Sequence, residues 1–319
     1  MHGGGGRDRE GVDPRFGICA EGMDGNLNMG VLSERAERLN ARLSDCDICP
    51  RMCRVDRKSG EQGVCRVGES AVVASFGPHF GEEPPLVGSN GSGTVFFSGC
   101  NLRCVFCQNY EISHLVEGSE VSVERLAATF LTIQKMWCHN LNLVTPTHVT
   151  PKIMEALSLA VPRGLSIPVV YNCGGYESLD TLRELEGVVD IYMPDVKFLD
   201  EEPARRYCDA PDYPEVVHAA LREMARQVGP LSFDRRGIAL RGLLVRHLVM
   251  PGEASTTRRV IDFLADGIGK DTYVNLMDQY RPCGQALRYP EIGRRTAADE
   301  WRQARDYALE KGLFRLDGV

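Results

Sequence analysis

Six short apolar runs, at residues 94–97, 141–145, 168–172, 188–193, 240–249 and 273–277, recur along this chain of 319 residues, and segments of helical periodicity separate them. In the stretch 123–137, Val123, Leu126, Phe130, Ile133 and Trp137 share one helical face and predict an amphipathic helix laid on a sheet. Further helices are expected at 151–161, 178–185, 214–228 and 256–264. Strand and helix in alternation require right-handed crossovers and a parallel sheet, which confines the fold to the α/β class. In such folds reactive side chains gather beyond the C-terminal ends of the strands.

Directly after the first run, Cys100, Cys104 and Cys107 stand at C-x3-C-x2-C spacing on one short loop. Three thiolates leave a [4Fe-4S] cluster one ligand short, because the cube takes four. The fourth iron is then open to a small chelating molecule. A structural zinc site would need a closed set of four ligands, usually two separated Cys-x2-Cys pairs, and no such pair follows Cys107 closely. Twelve cysteines in a chain whose N-terminus lacks the apolar centre of a signal peptide point to thiols kept for metal in a reducing cytoplasm rather than to disulfides.

Hydrophobic residues at 43% and charged residues at 25% exclude the disordered and membrane-spanning classes. A net charge of −7 argues against broad attraction to nucleic acid. Residues 1–30 are Gly-rich and aperiodic and read as a disordered tail. Residues 31–90 hold an expected helix at 32–43 with Ser33 as N-cap, a compact cysteine module, and a linker or extended arm from 71 to 90. Residues 91–319 carry the strand-helix repeats and end in an amphipathic helix at 298–313, with Trp301, Ala304, Tyr307 and Ala308 on its packing face.

The module offers Cys46, Cys49, Cys53 and Cys65 beside Arg51, Arg54 and Arg57, a complete ligand set with no open position. Zinc, an auxiliary [4Fe-4S] cluster and four reduced thiols without metal are all consistent with it. Cys19, Cys138, Cys173, Cys208 and Cys283 stand alone and read as small buried hydrophobes, with Cys173 and Cys283 beside strand ends.

The remaining strand ends carry polar residues. Thr145 and Thr147 follow the second run, and Thr147 reads equally as a helix N-cap before Pro151. Asn172 ends the third run, and Gly174 and Gly175 beyond it either let backbone approach a ligand or form a plain turn. Asp195 and Lys197, two apart on an extended segment, point the same way and can clamp a zwitterion or form a simple ion pair. Arg246 and His247 interrupt the fifth run; alternation turns them to opposite faces, with His247 the structural one. Gln279, Tyr280 and Arg281 make a polar exit to the sixth.

The triad, Phe106 directly before its third cysteine and the preceding strand at 94–97 resemble the radical SAM superfamily. Cys49-Pro-Arg-Met-Cys53, Gly60-Glu-Gln-Gly-Val-Cys65, Cys107-Gln-Asn109 and the Met277-x-Gln-Tyr280 pattern resemble its branch of pyruvate formate-lyase activating enzyme homologues, from residue 46 to the region of residue 315. The resemblance implies a partial (βα)6 TIM-type barrel and an open [4Fe-4S] cluster that binds S-adenosylmethionine (SAM) and cleaves it reductively to a 5′-deoxyadenosyl radical. It implies hydrogen abstraction from a substrate, either a glycyl radical enzyme or a small molecule or peptide. A non-catalytic iron-sulfur carrier or sensor is the alternative. Flavodoxin or ferredoxin is the implied electron donor, with no nucleic acid or membrane partner. It also places Phe106 near the adenine and Thr145 and Thr147 where the family has a Gly-Gly-Glu stretch for the methionine amino group. Asn172 stands where activases have an acidic residue, Asp195 meets the amino end or a cation, Lys197 meets the methionine carboxylate, and Arg246 reaches SAM.

Overall fold

The computed structural model describes residues 29–318. The expected Gly-rich tail up to residue 28, and Cys19 with it, lies outside the described residues. Nine strands form among the described residues: β1 (Ala71–His79), β2 (Ser92–Phe97), β3 (Ser119–Val121), β4 (Leu141–Val144), β5 (Val169–Cys173), β6 (Ile191–Pro194), β7 (Ser232–Phe233), β8 (Ala239–Leu248) and β9 (Tyr273–Met277). Six of them, in the order β2-β4-β5-β6-β8-β9, pair in parallel, which gives the expected α/β fold and matches the six apolar runs. The inner strands are apolar without alternation because helices cover one side while the other faces the barrel interior.

The helices follow their apolar stripes. Val123–Lys135 starts at Ser122, whose hydroxyl accepts from Arg125 N, and buries Leu126, Phe130 and Ile133, each about 1.5–3 kcal/mol of apolar transfer. Trp137 leaves that face, contrary to expectation. The helix ends at Lys135, and Trp137 takes a left-handed φ of 65° that turns its ring out, 62% exposed. The first helix spans Met29–Ala41, so Ser33 lies inside it rather than at its cap. Ala298–Glu310 docks as expected through Trp301, whose indole N–H donates to Leu276 O at 2.6 Å.

The segment at 71–90 is not a linker. Its first half is β1, antiparallel to β2, and β3 pairs in turn with β1. The residues after β1 cross the barrel floor, where Asn140 Nδ2 donates to Leu86 O and Asn140 Oδ1 accepts from Ser92 Oγ. That fixes the arm carrying Glu82 and Glu83. The cysteine module packs on the barrel wall, with Leu39, Leu43 and Ile48 continuous with the main core.

Candidate active site at the cysteine loop

A cavity of about 560 Å³ opens at the C-terminal ends of the parallel strands, and Cys100, Cys104 and Cys107 all line it. Around them stand Phe106, Thr145, Asn172, Asp195, Lys197 and Arg246, so six of the seven residues expected to contact SAM share one space with the triad. Thr147 does not. It is buried, and its hydroxyl donates to Glu177 Oε1 at 2.6 Å; it serves the wall behind the cavity and caps no helix, since Thr150–Ala160 follows a 3-10 turn.

Each thiol has a local partner. Cys100 Sγ accepts from Leu102 N at 3.4 Å, Cys107 Sγ accepts from Ser113 Oγ at 3.1 Å, and Cys104 Sγ lies 3.2 Å from Cys208 Sγ. Burial, then the neighbouring Cys104, pushes the Cys100 thiol up to about 12. Burial raises Cys107 as well, and for Cys104 the Cys208 contact comes first and burial second. Without metal the three thiols therefore hold their protons, which metal binding must displace.

Asp195 and Lys197 form the pair that alternation indicated, Nζ to Oδ2 at 2.9 Å. Burial pulls the ammonium down, but Asp195 and then Cys104 outweigh it and leave Lys197 well above its ordinary value. The Tyr213 hydroxyl fixes this strand end, accepting from Lys197 N at 3.0 Å and donating to the carbonyls of Asp195 and Gly174. Gly175 must be glycine: its φ is +73°, and a Cβ there would fall 2.9 Å from Asp195 O. At Gly174 a Cβ would fall 2.8 Å from Leu102 Cδ1, so the glycine pair brings the third strand end against the cysteine loop. Thr145 sits at φ +59°, costly for a β-branched residue and typical of a functional wall; its N–H donates to Asn172 O at 2.8 Å.

Arg246 reaches the cavity but is not free for a ligand. Its Nε donates to Glu83 Oε1 at 2.6 Å, and its Nη2 pairs with Glu83 Oε2 at 2.5 Å and with Glu82. Glu83 also accepts from Asn275 Nδ2 at 2.8 Å. His247 is structural as expected, with Nδ1–H donating to Val196 O and Nε2 accepting from Thr257 Oγ1. Of the expected polar exit only Gln279 lines the cavity. Tyr280 is buried with its hydroxyl on Ile292 O, and Arg281 is exposed outside. Cys173 lines the cavity and Cys283 does not.

Sequence reasoning passed over Glu82 and Glu83, Ser113 and Glu177, and read Cys208 as a small buried hydrophobe rather than as a partner of Cys104. The adjacent acids had one readable signal: an arginine inside an apolar strand needs a buried anion. The roles of Glu177 and Cys208 depend on partners 30 and 104 positions away, and Ser113, six residues after Cys107, carries no spacing signal of its own.

The donor set fits a [4Fe-4S] cluster with SAM. Three thiols on one loop leave one iron open, and a charged pair and an amide stand within the same cavity, where an amino acid chelate would lie. Residues 94–263 match the family model of the Radical SAM superfamily. An uncharacterized protein of Methanocaldococcus jannaschii, MJ0674, is 31% identical over 89% of this chain and 80% of its own length. A second from the same organism, MJ0808, is 24% identical over 87% of this chain and 81% of its own. Among solved structures, a radical SAM methyltransferase from Sphaerobacter thermophilus is similar with a TM-score of 0.49 and 14% identity, covering 69% of this chain and 64% of that one. With the triad and the Asp195–Lys197 pair in one cavity and the family model matched from β2 through β8, this chain belongs to the radical SAM superfamily.

Proposed function

We propose that Cys100, Cys104 and Cys107 hold a [4Fe-4S] cluster with one open iron for SAM, and that the protein cleaves SAM and abstracts hydrogen from a substrate at the barrel mouth. The observation that carries the reading is the common cavity of the three thiols with Asp195, Lys197 and Asn172. When bound, the cluster supplies one electron that cleaves the sulfonium carbon-sulfur bond to methionine and a 5′-deoxyadenosyl radical. Lys197 offers a fixed positive charge to the methionine carboxylate, and Asp195 and the Asn172 carbonyl oxygen offer acceptors to its amino group. Phe106, wedged edge-on against Phe198 at 6.0 Å, gives the adenine an apolar wall. Addition of SAM to the reduced, reconstituted protein should change the cluster's electron paramagnetic resonance spectrum and release methionine. An unchanged spectrum with no methionine would contradict the reading.

Within this chemistry the activase-like role, hydrogen removal from a glycine of a glycyl radical enzyme, is favoured by Gln108 and Asn109. Both are exposed directly after Cys107 and line the mouth, where a polypeptide loop can enter. Flavodoxin or ferredoxin is the proposed electron donor. Incubation with a glycyl radical enzyme, SAM and reduced flavodoxin should produce a glycyl radical signal. Turnover on a small molecule without any such signal would favour the alternative substrate class.

A further inference from the structure

In the N-terminal module the Cys46 thiol lies against a buried positive charge that no carboxylate neutralises. Arg57 is 2% exposed. Its guanidinium donates to Gly68 O at 2.9 Å and His148 O at 2.7 Å and reaches Cys46 Sγ at 3.9 Å, and it forms no ion pair with a carboxylate among the described residues. A guanidinium does not give up its proton, and a buried charge without a counter-charge is strongly unfavourable. The groups at hand to supply one are the thiols, and a metal deprotonates coordinating thiols outright.

The backbone gathers the four. Cys46 N donates to Val55 O at 3.0 Å and Arg54 N to Cys46 O at 2.9 Å, which folds the Cys49–Cys53 turn back on Cys46. Val64 N donates to Cys53 Sγ at 3.4 Å, and Gly63 leaves room for that sulfur, since a Cβ there would fall 2.6 Å from it. Met52 N donates to Cys49 O at 3.0 Å, which closes the turn between Cys49 and Cys53, and the buried Cys65 thiol donates to Val67 O at 3.9 Å. Among the described residues no three His, Cys, Asp or Glu side chains converge on a single-ion site, the loop triad included.

We infer that Cys46, Cys49, Cys53 and Cys65 bind a second, fully ligated metal centre whose thiolate charge neutralises Arg57. This centre abuts the open one. A Cβ at Gly99, beside Cys100, would fall 2.6 Å from Cys65 O, and Arg51 of the module donates to Asn101 O at 2.8 Å and Cys208 O at 3.1 Å. Metal in the module therefore braces the loop that holds the first cluster.

The test is the metal and acid-labile sulfide content of the full chain carrying Cys100→Ser, Cys104→Ser and Cys107→Ser, purified anaerobically. With the first cluster gone, SAM chemistry has no bearing on the result. About four irons with matching sulfide are expected; one zinc in their place supports the centre and assigns its metal. Adding Cys49→Ser and Cys53→Ser should lower the content at least tenfold. A folded triad variant with neither iron nor zinc, or a content unmoved by the two further substitutions, overturns the inference. Should the triad variant fail to fold, the wild-type count decides: about eight irons, or about four with one zinc, supports it, and about four irons without zinc overturns it.

Discussion

Arg246 and Glu83, 163 residues apart in the chain, meet inside the barrel, with Nε donating to Oε1 at 2.6 Å and Nη2 to Oε2 at 2.5 Å. The contact ties the arm after β1 to β8, and through Asn275 to β9, across the side of the barrel where β2 and β9 do not pair. Burial alone would raise the Glu83 carboxyl; the Arg246 charge and hydrogen bonds overcome it and hold the group below its ordinary value.

Glu82 and Glu83 both neutralise Arg246, so removal of both leaves a buried guanidinium without an anion. Glu83→Ala combined with Glu82→Gln should cost roughly 3–5 kcal/mol by urea unfolding, and adding Arg246→Met should recover much of it. Because the folded Glu83 carboxyl is depressed, its contribution is present above the unfolded value near 4.5 and is lost as pH falls through the lower folded value. A triple variant no more stable than the Glu82→Gln, Glu83→Ala variant would contradict this.

Lys197→Met keeps the stem and deletes the charge. Loss of a charge-assisted contact to the SAM carboxylate should weaken SAM binding about 10- to 100-fold, read by equilibrium dialysis on reconstituted protein. Unchanged affinity would remove Lys197 from the site.

Glu177 is a buried carboxyl that accepts from the Thr147 and Tyr171 hydroxyls, and burial raises it to about 7. A raised acid favours the fold while protonated, so its contribution is intact below the unfolded value of 4.5 and declines as pH rises toward 7. Glu177→Gln mimics the protonated form. The stability gap between variant and wild type should widen from pH 4.5 to 7 and then level off, with a full span of about 3 kcal/mol. A gap independent of pH would contradict the assignment.

Cys208 offers its thiol to Cys104 Sγ at 3.2 Å. An S–H donor to a cluster ligand stabilises the reduced state, so Cys208→Ala should leave the cluster assembled and shift its midpoint potential negative by about 40 mV, the equivalent of a net 1 kcal/mol bond. No shift, or a positive one, would count against the contact.

The six parallel strands were legible because each is a short apolar run ended by polar or glycine residues, and their C-terminal ends carried the triad, Asn172 and the Asp195–Lys197 pair in plain view. β1 was not legible. Its sequence, Ala71-Val-Val-Ala-Ser-Phe-Gly-Pro-His79, alternates little and contains glycine and proline, and it becomes a strand only because the edge of β2 accepts it. Arg246 was placed on the correct face by alternation, but its partners come from an arm whose path no local pattern records. Thr147 shows the same limit: a hydroxyl two residues from the cavity wall is claimed by Glu177, thirty positions later, a pairing that only tertiary packing reveals.

The most direct measurement is 5′-deoxyadenosine formed from SAM and dithionite by anaerobically reconstituted wild type beside Cys100→Ser, Cys104→Ser and Cys107→Ser. Wild type should form it together with an equal amount of methionine, and each variant should fall to the protein-free background. A variant that keeps the wild-type rate, or a fully loaded wild type that forms none, would contradict a SAM-cleaving cluster on this loop.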